Sequence, residues 1–251
     1  MRVFLTGASS GLGEALARRY AKAGATLGLF ARRESELSRL AAELAPATVA
    51  TYAGDVRDAE ALARAAADFC GRFGAPDAVI ANAGISRGAL TDQPGDMPAF
   101  RAILETNFLG IVHTFAPFVA PMRDAGRGAL VGVASVAGFR GLPGSGAYCG
   151  SKSAAITYLE SLRVELRGTG VDVLTLCPGF VATPLTARNP YRMPFLIDAD
   201  EAARLMAAAI ARRRTFYVFP WPMAMLSRLL RVLPRPLYDA VIAGRKRKPR
   251  D

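Results

Sequence analysis

The sequence predicts an α/β fold in which a parallel sheet of seven strands is covered by helices on both faces. Three observations carry this. Short apolar runs alternate with longer stretches of helical periodicity, the pattern of repeated strand–helix units. Several of the short runs, such as Ala129 to Ala134, are apolar without interruption, as strands covered on both faces are. The chain has 251 residues, 51% of them apolar, enough for one sizeable core.

In chain order, the first strand is expected at Val3 to Leu5, running through a glycine-rich turn into a helix from Leu12 to Ala23. A strand at Thr26 to Phe30 leads to a helix at Glu34 to Leu44, and a strand at Thr48 to Tyr52 leads to a helix at Ala59 to Phe73. Ala78 to Ala81 reads as a strand followed by a long helix from Phe100 to Met122. Ala129 to Ala134 precedes a helix at Tyr148 to Arg167, and Val171 to Leu176 precedes one at Ala199 to Arg212. Thr215 to Phe219 is the last strand. No repeat, low-complexity block or Pro/Gly-rich linker divides the chain, so residues 1–219 read as one domain and 220–251 as a C-terminal extension. The irregular stretch Phe180 to Ile197, with its aromatic, Met and Pro residues, reads as a mobile cover over a cleft.

The net charge of +11 is unevenly placed. From Arg212 onward eleven Lys or Arg face two acidic residues, Asp239 and Asp251, a net of +9 that leaves +2 for the rest. A nucleic-acid-binding fold needs cations spread over a groove-facing surface, so this distribution argues against one. Cys70, Cys149 and Cys177 show no metal-ligand spacing, and an odd number does not suit a disulfide framework. A reducing, cytoplasmic setting and no metal are expected. The N-terminus has no charged leader with a cleavage site, and no run reaches the roughly 18 uninterrupted apolar residues of a membrane span.

The first strand runs into Thr6-Gly7-Ala8-Ser9-Ser10-Gly11-Leu12-Gly13. Gly7 permits a tight turn, Gly11 lets backbone approach a pyrophosphate, and Gly13 allows close helix packing, while the helix N-terminus offers amides and a positive dipole to the anion. Glycines also serve turn shape alone, so position after the first strand is what favours phosphate binding. The second strand ends in Ala31-Arg32-Arg33, where arginine suits the 2′-phosphate of NADP and a carboxylate would suit the ribose of NAD. Arg32 is the stronger choice; the plainer reading is two arginines solvating a helix start. After the third strand the Asp55 carboxylate is placed to accept from an adenine amino group, with Val56 against the ring. Asn82-Ala83-Gly84 supplies a close-approach turn after the fourth.

Tyr148 and Lys152, four apart on a helix, share one face, and Ser135 ends the preceding strand. A neighbouring ammonium lowers a phenol's pKa from about 10, which would fit Tyr148 for general acid/base work. Ser135 can hydrogen-bond the substrate oxygen as charge develops on it.

These motifs, with Asn107 and Pro178-Gly179 followed by Val181 and Thr183, occur in an order that resembles the short-chain dehydrogenase/reductase family, NADP-preferring type, over about the first 220 residues. The resemblance implies a Rossmann-type doubly wound sheet and a nicotinamide cofactor, NADP in preference to NAD. It implies Tyr148 as acid/base, Lys152 bridging Tyr148 and the nicotinamide ribose, Ser135 positioning the carbonyl and Asn107 holding a relay water. Pro178, Gly179, Val181 and Thr183 would lie beside the nicotinamide. One departure is Ser10, where NADP-preferring relatives often carry a basic residue, which leaves the preference to Arg32 and Arg33. His113 reads as structural and Cys149 as a packing residue. The resemblance also implies a homodimer or homotetramer through the helices carrying Asn107 and Tyr148.

In the extension, Met225, Leu226, Leu229, Leu230 and Leu233 recur at helical spacing, with Arg228 and Arg231 toward another side. A second apolar segment, Leu237 to Ala243, leads into the basic run Arg245 to Arg250. One reading packs the apolar face on the domain or a second subunit and leaves the basic run solvated. The other is a peripheral membrane helix with Trp221 as anchor and the basic run drawn to anionic lipid. Phe139, Leu142, Phe180, Tyr191, Met193 and Trp221 are expected to line an apolar pocket for a lipophilic carbonyl or alcohol. The reaction expected is NADP(H)-dependent carbonyl reduction or alcohol oxidation; a cofactor-binding scaffold or redox-sensing regulator on the same fold is the alternative.

Overall fold

Side-chain alternation along the strands builds two core layers. The computed structural model describes residues 1–244 and 247–250, so Arg245 and Lys246 of the expected basic run lie outside the described residues. The strands are β1 (Arg2–Thr6), β2 (Thr26–Ala31), β3 (Val49–Ala53), β4 (Ala78–Ala81), β5 (Gly128–Val133), β6 (Val171–Pro178) and β7 (Phe216–Phe219). All pair parallel in the order β3-β2-β1-β4-β5-β6-β7. The helices are α1 (Gly11–Lys22), α2 (Glu34–Glu43), α3 (Ala59–Phe73), α4 (Met97–Leu104), α5 (Gly110–Asp124), α6 (Gly146–Glu165), α7 (Ala199–Ala211), α8 (Trp221–Val232) and α9 (Arg235–Ile242).

Val3 and Leu5 of β1, Leu27 and Leu29 of β2, and Ile80 of β4 face one side, where they meet Leu16 of α1, Leu37 of α2 and Met206 of α7. Phe4, Phe30 and Val79 face the other, against Phe69 of α3, Phe118 of α5 and Leu159 of α6. Phe4 anchors this second layer, its ring 4.7 Å from Phe118 and edge-on to Phe69 at 5.6 Å. Each such side chain stabilises the fold by about 1.5–3 kcal/mol relative to exposure. The strand order reverses between β2 and β4 around β1, so a crevice opens beyond the C-terminal ends of β1 and β4, where ligands of doubly wound sheets bind.

The expected helix from Phe100 to Met122 is corrected. Its first turns form α4, a π-helical turn covers Glu105–Leu109, and α5 follows. The wider turn coincides with buried Asn107, whose side chain bonds to backbone on another segment; π-turns of this kind often mark functional positions. The stretch Pro94–Asp124 is long and apolar enough to span a bilayer by composition. Here Ile111, Phe115, Phe118 and Met122 are buried in the core instead.

The extension is also corrected. The inward side of α8 is formed by Met223, Leu226, Ser227 and Leu230, while Met225 and Leu229 of the expected apolar stripe point outward at 59% and 61% exposure. The helix is apolar on two sides, and periodicity alone does not say which one packs. In α9, Tyr238 and Ile242 are buried and Leu237 and Val241 exposed. The end of the basic run is docked rather than solvated: Lys248 and Arg250 bond to Ser86 and Asp96.

Candidate active site

The turn after β1 is held from two sides. The Gly7 N–H donates to the Phe30 carbonyl at 2.9 Å, and Thr6 Oγ1 accepts from the Asn82 and Ala83 amides at 3.2 and 3.3 Å. Gly7 has φ +70°, and a Cβ there would stand 2.8 Å from Ala83 Cα; one on Gly13 would overlap the Gly7 carbonyl. The two turns touch only because neither position carries a side chain. Ser10 caps α1 in an extended conformation without a side-chain cap bond, so the first-turn amides remain available to an anion.

This turn opens one end of a groove of about 550 Å³ that runs past Arg32, Arg33, Asp55, Val56, Asn82, Gly84, Lys152, Gly179, Val181 and Thr183. Ser9, Ser10, Gly11, Leu12, Ala83 and Pro178 line it too. Arg33 is fixed at the turn, its Nη2 donating to Ser9 O at 2.9 Å and Ser9 Oγ at 3.1 Å, while Arg32 lies exposed beside it. Asp55 is clasped by the Arg57 guanidinium at 2.8 and 3.1 Å, which holds its carboxyl below the usual range. His113 Nδ1 donates to the Val56 carbonyl at 3.0 Å. The set of amides, hydroxyls and guanidiniums, together with a turn too tight for a Cβ, fits a dinucleotide.

Ser135 follows the end of β5 and Tyr148 sits in the first turns of α6, and both side chains line the same pocket. Lys152 lies one turn on, its Nζ donating to the Val133 carbonyl at 2.8 Å and standing 5.9 Å from the Tyr148 ring centroid. The expected lowering of the Tyr148 pKa by this ammonium is corrected. Burial pushes Tyr148 up to about 12, with the Ser135 hydroxyl a smaller opposing influence, and it pushes Lys152 down to about 8. Both charged forms lose hydration on burial, and for each of them that loss is the largest influence. Asn107 is fully buried: Oδ1 accepts from the Ile85 N–H at 2.8 Å, and Nδ2 donates to the Ile85 carbonyl at 2.9 Å and Ser151 Oγ at 3.1 Å. It clamps the turn after β4 to α6.

A second cavity, of about 350 Å³, meets the groove at Ser135 and Tyr148. Phe139, Leu142, Phe180 and Tyr191 line it as expected. Met193 and Trp221 do not; Trp221 is 77% exposed because it faces away at the start of α8. Their places are taken by residues that sequence reasoning missed, among them Ser86, Met223, Leu226, Tyr238 and Lys248. Thr186, also missed, ties the cover segment together by donating to the Val181 carbonyl at 2.6 Å. A polar residue among prolines was the only signal for it. The cover is pinned at its ends, Ala182 N–H donating to the Ile197 carbonyl at 2.8 Å.

The family model for short chain dehydrogenases matches residues 1–192. An uncharacterized oxidoreductase of Myxococcus xanthus is 42% identical over 238 residues, 94% of each chain. A short chain dehydrogenase/reductase from Burkholderia phymatum, solved with NAD, superposes with a TM-score of 0.83 at 26% identity, covering 100% of this chain and 96% of that one. An alcohol dehydrogenase from the archaeon Thermococcus sibiricus, solved with 5-hydroxy-NADP, gives 0.78 at 28% identity over 87% and 95%. With its doubly wound sheet, glycine turn and paired cavities, this chain belongs to the short-chain dehydrogenase/reductase family of nicotinamide-dependent oxidoreductases acting on hydroxyl and carbonyl groups.

Proposed function

We propose that the protein is an NADP(H)-dependent carbonyl reductase or alcohol dehydrogenase for lipophilic substrates, with Tyr148 as general acid/base. The observation that carries this reading is that Ser135 and Tyr148 form the wall shared by an apolar cavity and a dinucleotide groove. A bound nicotinamide supplies or takes the hydride. Ser135 holds the substrate oxygen by a hydrogen bond, and the Tyr148 phenol gives that oxygen its proton in reduction and removes it in oxidation. A value pushed up by burial keeps the phenol protonated and ready to donate. Lys152, fixed by Val133, faces the same ring and restores the proton, and Asn107 retains a second Oδ1 lone pair for a relay water. Arg32 and Arg33 recognise the 2′-phosphate, while Asp55 and Val56 border the adenine; Pro178, Gly179, Val181 and Thr183 flank the nicotinamide.

Purified protein mixed with NADPH and a panel of aliphatic and aromatic ketones tests this. Oxidation of NADPH should fall at least about 100-fold in Tyr148→Phe. Unchanged turnover in that variant removes Tyr148 from the mechanism. If no carbonyl reacts and NADPH instead alters association with a protein, the regulatory reading replaces this one.

Residues 1–219 form the catalytic domain in this reading, and the protein works in the cytoplasm as a homodimer or homotetramer. Leu104, Leu109 and Val164, exposed on the helical segments that carry Asn107 and Tyr148, support that pairing. The outer face of α8 and α9 exposes Trp221, Met225, Leu229, Val232, Leu237 and Val241 beside Arg228 and Arg235, which supports peripheral contact with anionic membrane. Sedimentation with anionic liposomes at low salt tests it; a protein left in the supernatant excludes that contact.

A further inference from the structure

The docked end of the chain lays an ammonium in the substrate cavity. Two anchors set its position. Before it, Arg140 donates to the Leu230 and Leu233 carbonyls at 3.1 and 3.0 Å and stacks 3.9 Å over the Tyr238 ring, whose hydroxyl donates to the Gly141 carbonyl at 2.5 Å. After it, the Gly88 N–H donates to the Pro249 carbonyl at 2.7 Å, and Arg250 forks onto buried Asp96 at 2.8 and 3.0 Å. Between these anchors Lys248 points inward. Its Nζ donates to Ser86 Oγ at 2.5 Å and lies 5.7 Å from the centroid of the Tyr148 ring.

The charge lining this cavity is one-sided. Arg140, Arg192 and Lys248 line it, and among the described residues no Asp or Glu does. Arg140 is committed to the end of α8, and the neighbouring carboxylate of Asp96 is committed to Arg250. Lys248 therefore has a hydroxyl but no carboxylate partner among the described residues, in a cavity otherwise walled largely by Phe139, Leu142, Phe180, Leu226 and Leu230. Burial lowers its pKa, the mark of an ammonium short of compensating charge. Such a group is costly in apolar surroundings unless an anion completes it.

We infer that Lys248 is a specificity residue, and that the preferred substrate is an apolar ketone or alcohol bearing a carboxylate, which pairs with Lys248 while the reacting oxygen lies at Ser135 and Tyr148. The inference rests on the proposed reduction for its catalytic half. The short span between the Tyr148 ring and Nζ places the carboxylate within a few bonds of the reacting carbon.

The test compares 4-oxo-4-phenylbutanoate with its methyl ester in the full-length protein and in Lys248→Met and Lys248→Arg. Expected is a preference for the acid in kcat/KM that Lys248→Met lowers by roughly 10- to 100-fold, mainly through KM, with the ester little changed. Lys248→Arg should retain most of the preference. Equal losses on acid and ester, or no preference in the wild type, overturn the inference. A second arm measures calorimetric binding of 4-phenylbutanoate against 4-phenylbutanamide in the presence of NADP. Tighter binding of the acid that disappears in Lys248→Met supports the anion site even if neither ketone turns over, in which case only the proposed reaction fails. Equal binding, or no binding of the acid, overturns it.

Discussion

Replacing Asn107 by alanine separates a clamp from a purely catalytic side chain. Asn107 is fully buried and satisfies both the N–H and the carbonyl of Ile85, while also reaching Ser151 on α6. Alanine leaves two partly buried backbone groups without these partners. At about 1–3 kcal/mol for each orphaned group the loss is about 2–6 kcal/mol, and the lower half of that range applies where water reaches Ile85. For a chain of this length about 1 kcal/mol moves the melting temperature by about 2–4 °C, so a fall of at least about 4 °C is expected. Urea denaturation followed by circular dichroism, alongside a thermal melt, measures both quantities. A side chain whose sole task is to hold a relay water would leave stability untouched. A variant within about 0.5 kcal/mol of the wild type would therefore refute the clamp, whatever its effect on turnover.

The pH dependence of stability carries a second prediction. Lys152 falls from 10.5 to about 8 on folding, so the unfolded chain holds the extra proton between those values and stability rises with pH across that window. Tyr148 rises from 10.0 to about 12, so its contribution is lost as pH climbs through that higher range. Denaturation of wild type and Lys152→Met at pH 7, 9 and 10 should show the variant losing ground steadily; a constant difference means an ordinary lysine. Phe118→Ala, which empties the contact at 4.7 Å with Phe4, should cost about 3–5 kcal/mol in urea, and a loss under about 1 kcal/mol would contradict the packing described. Arg32→Ala should weaken NADPH at least about tenfold in fluorescence titration while sparing NADH, and tighter NADH than NADPH in the wild type would reverse the cofactor preference.

Several elements were legible because their signals are local. The order of strands and helices follows from stretches of apolar alternation and periodicity a few residues long, and the turn from Thr6 to Gly13 announces itself in eight consecutive residues. Tyr148 and Lys152 are neighbours on any helix that contains both, so their common face needs no tertiary information. The π-turn at Glu105–Leu109 was not legible, since it coincides with bonds from Asn107 to Ile85, a residue 22 positions away. Nor was the side of α8 that packs, because both sides are apolar and only contact with the rest of the chain selects one.

By itself the sequence determined the layered parallel sheet, the glycine-rich turn and the spacing of Tyr148 and Lys152, all consequences of backbone geometry within short segments. Only the tertiary structure decided the electrostatics of the site. Desolvation depends on what surrounds a group in space, which is why Tyr148 and Lys152 move apart in pKa where adjacency alone suggested the reverse for the phenol. The same holds for Lys248, which meets Ser86 across 162 residues. Read along the chain it is one cation in a basic run; folded, it is a charge placed beside Tyr148 in an apolar cavity.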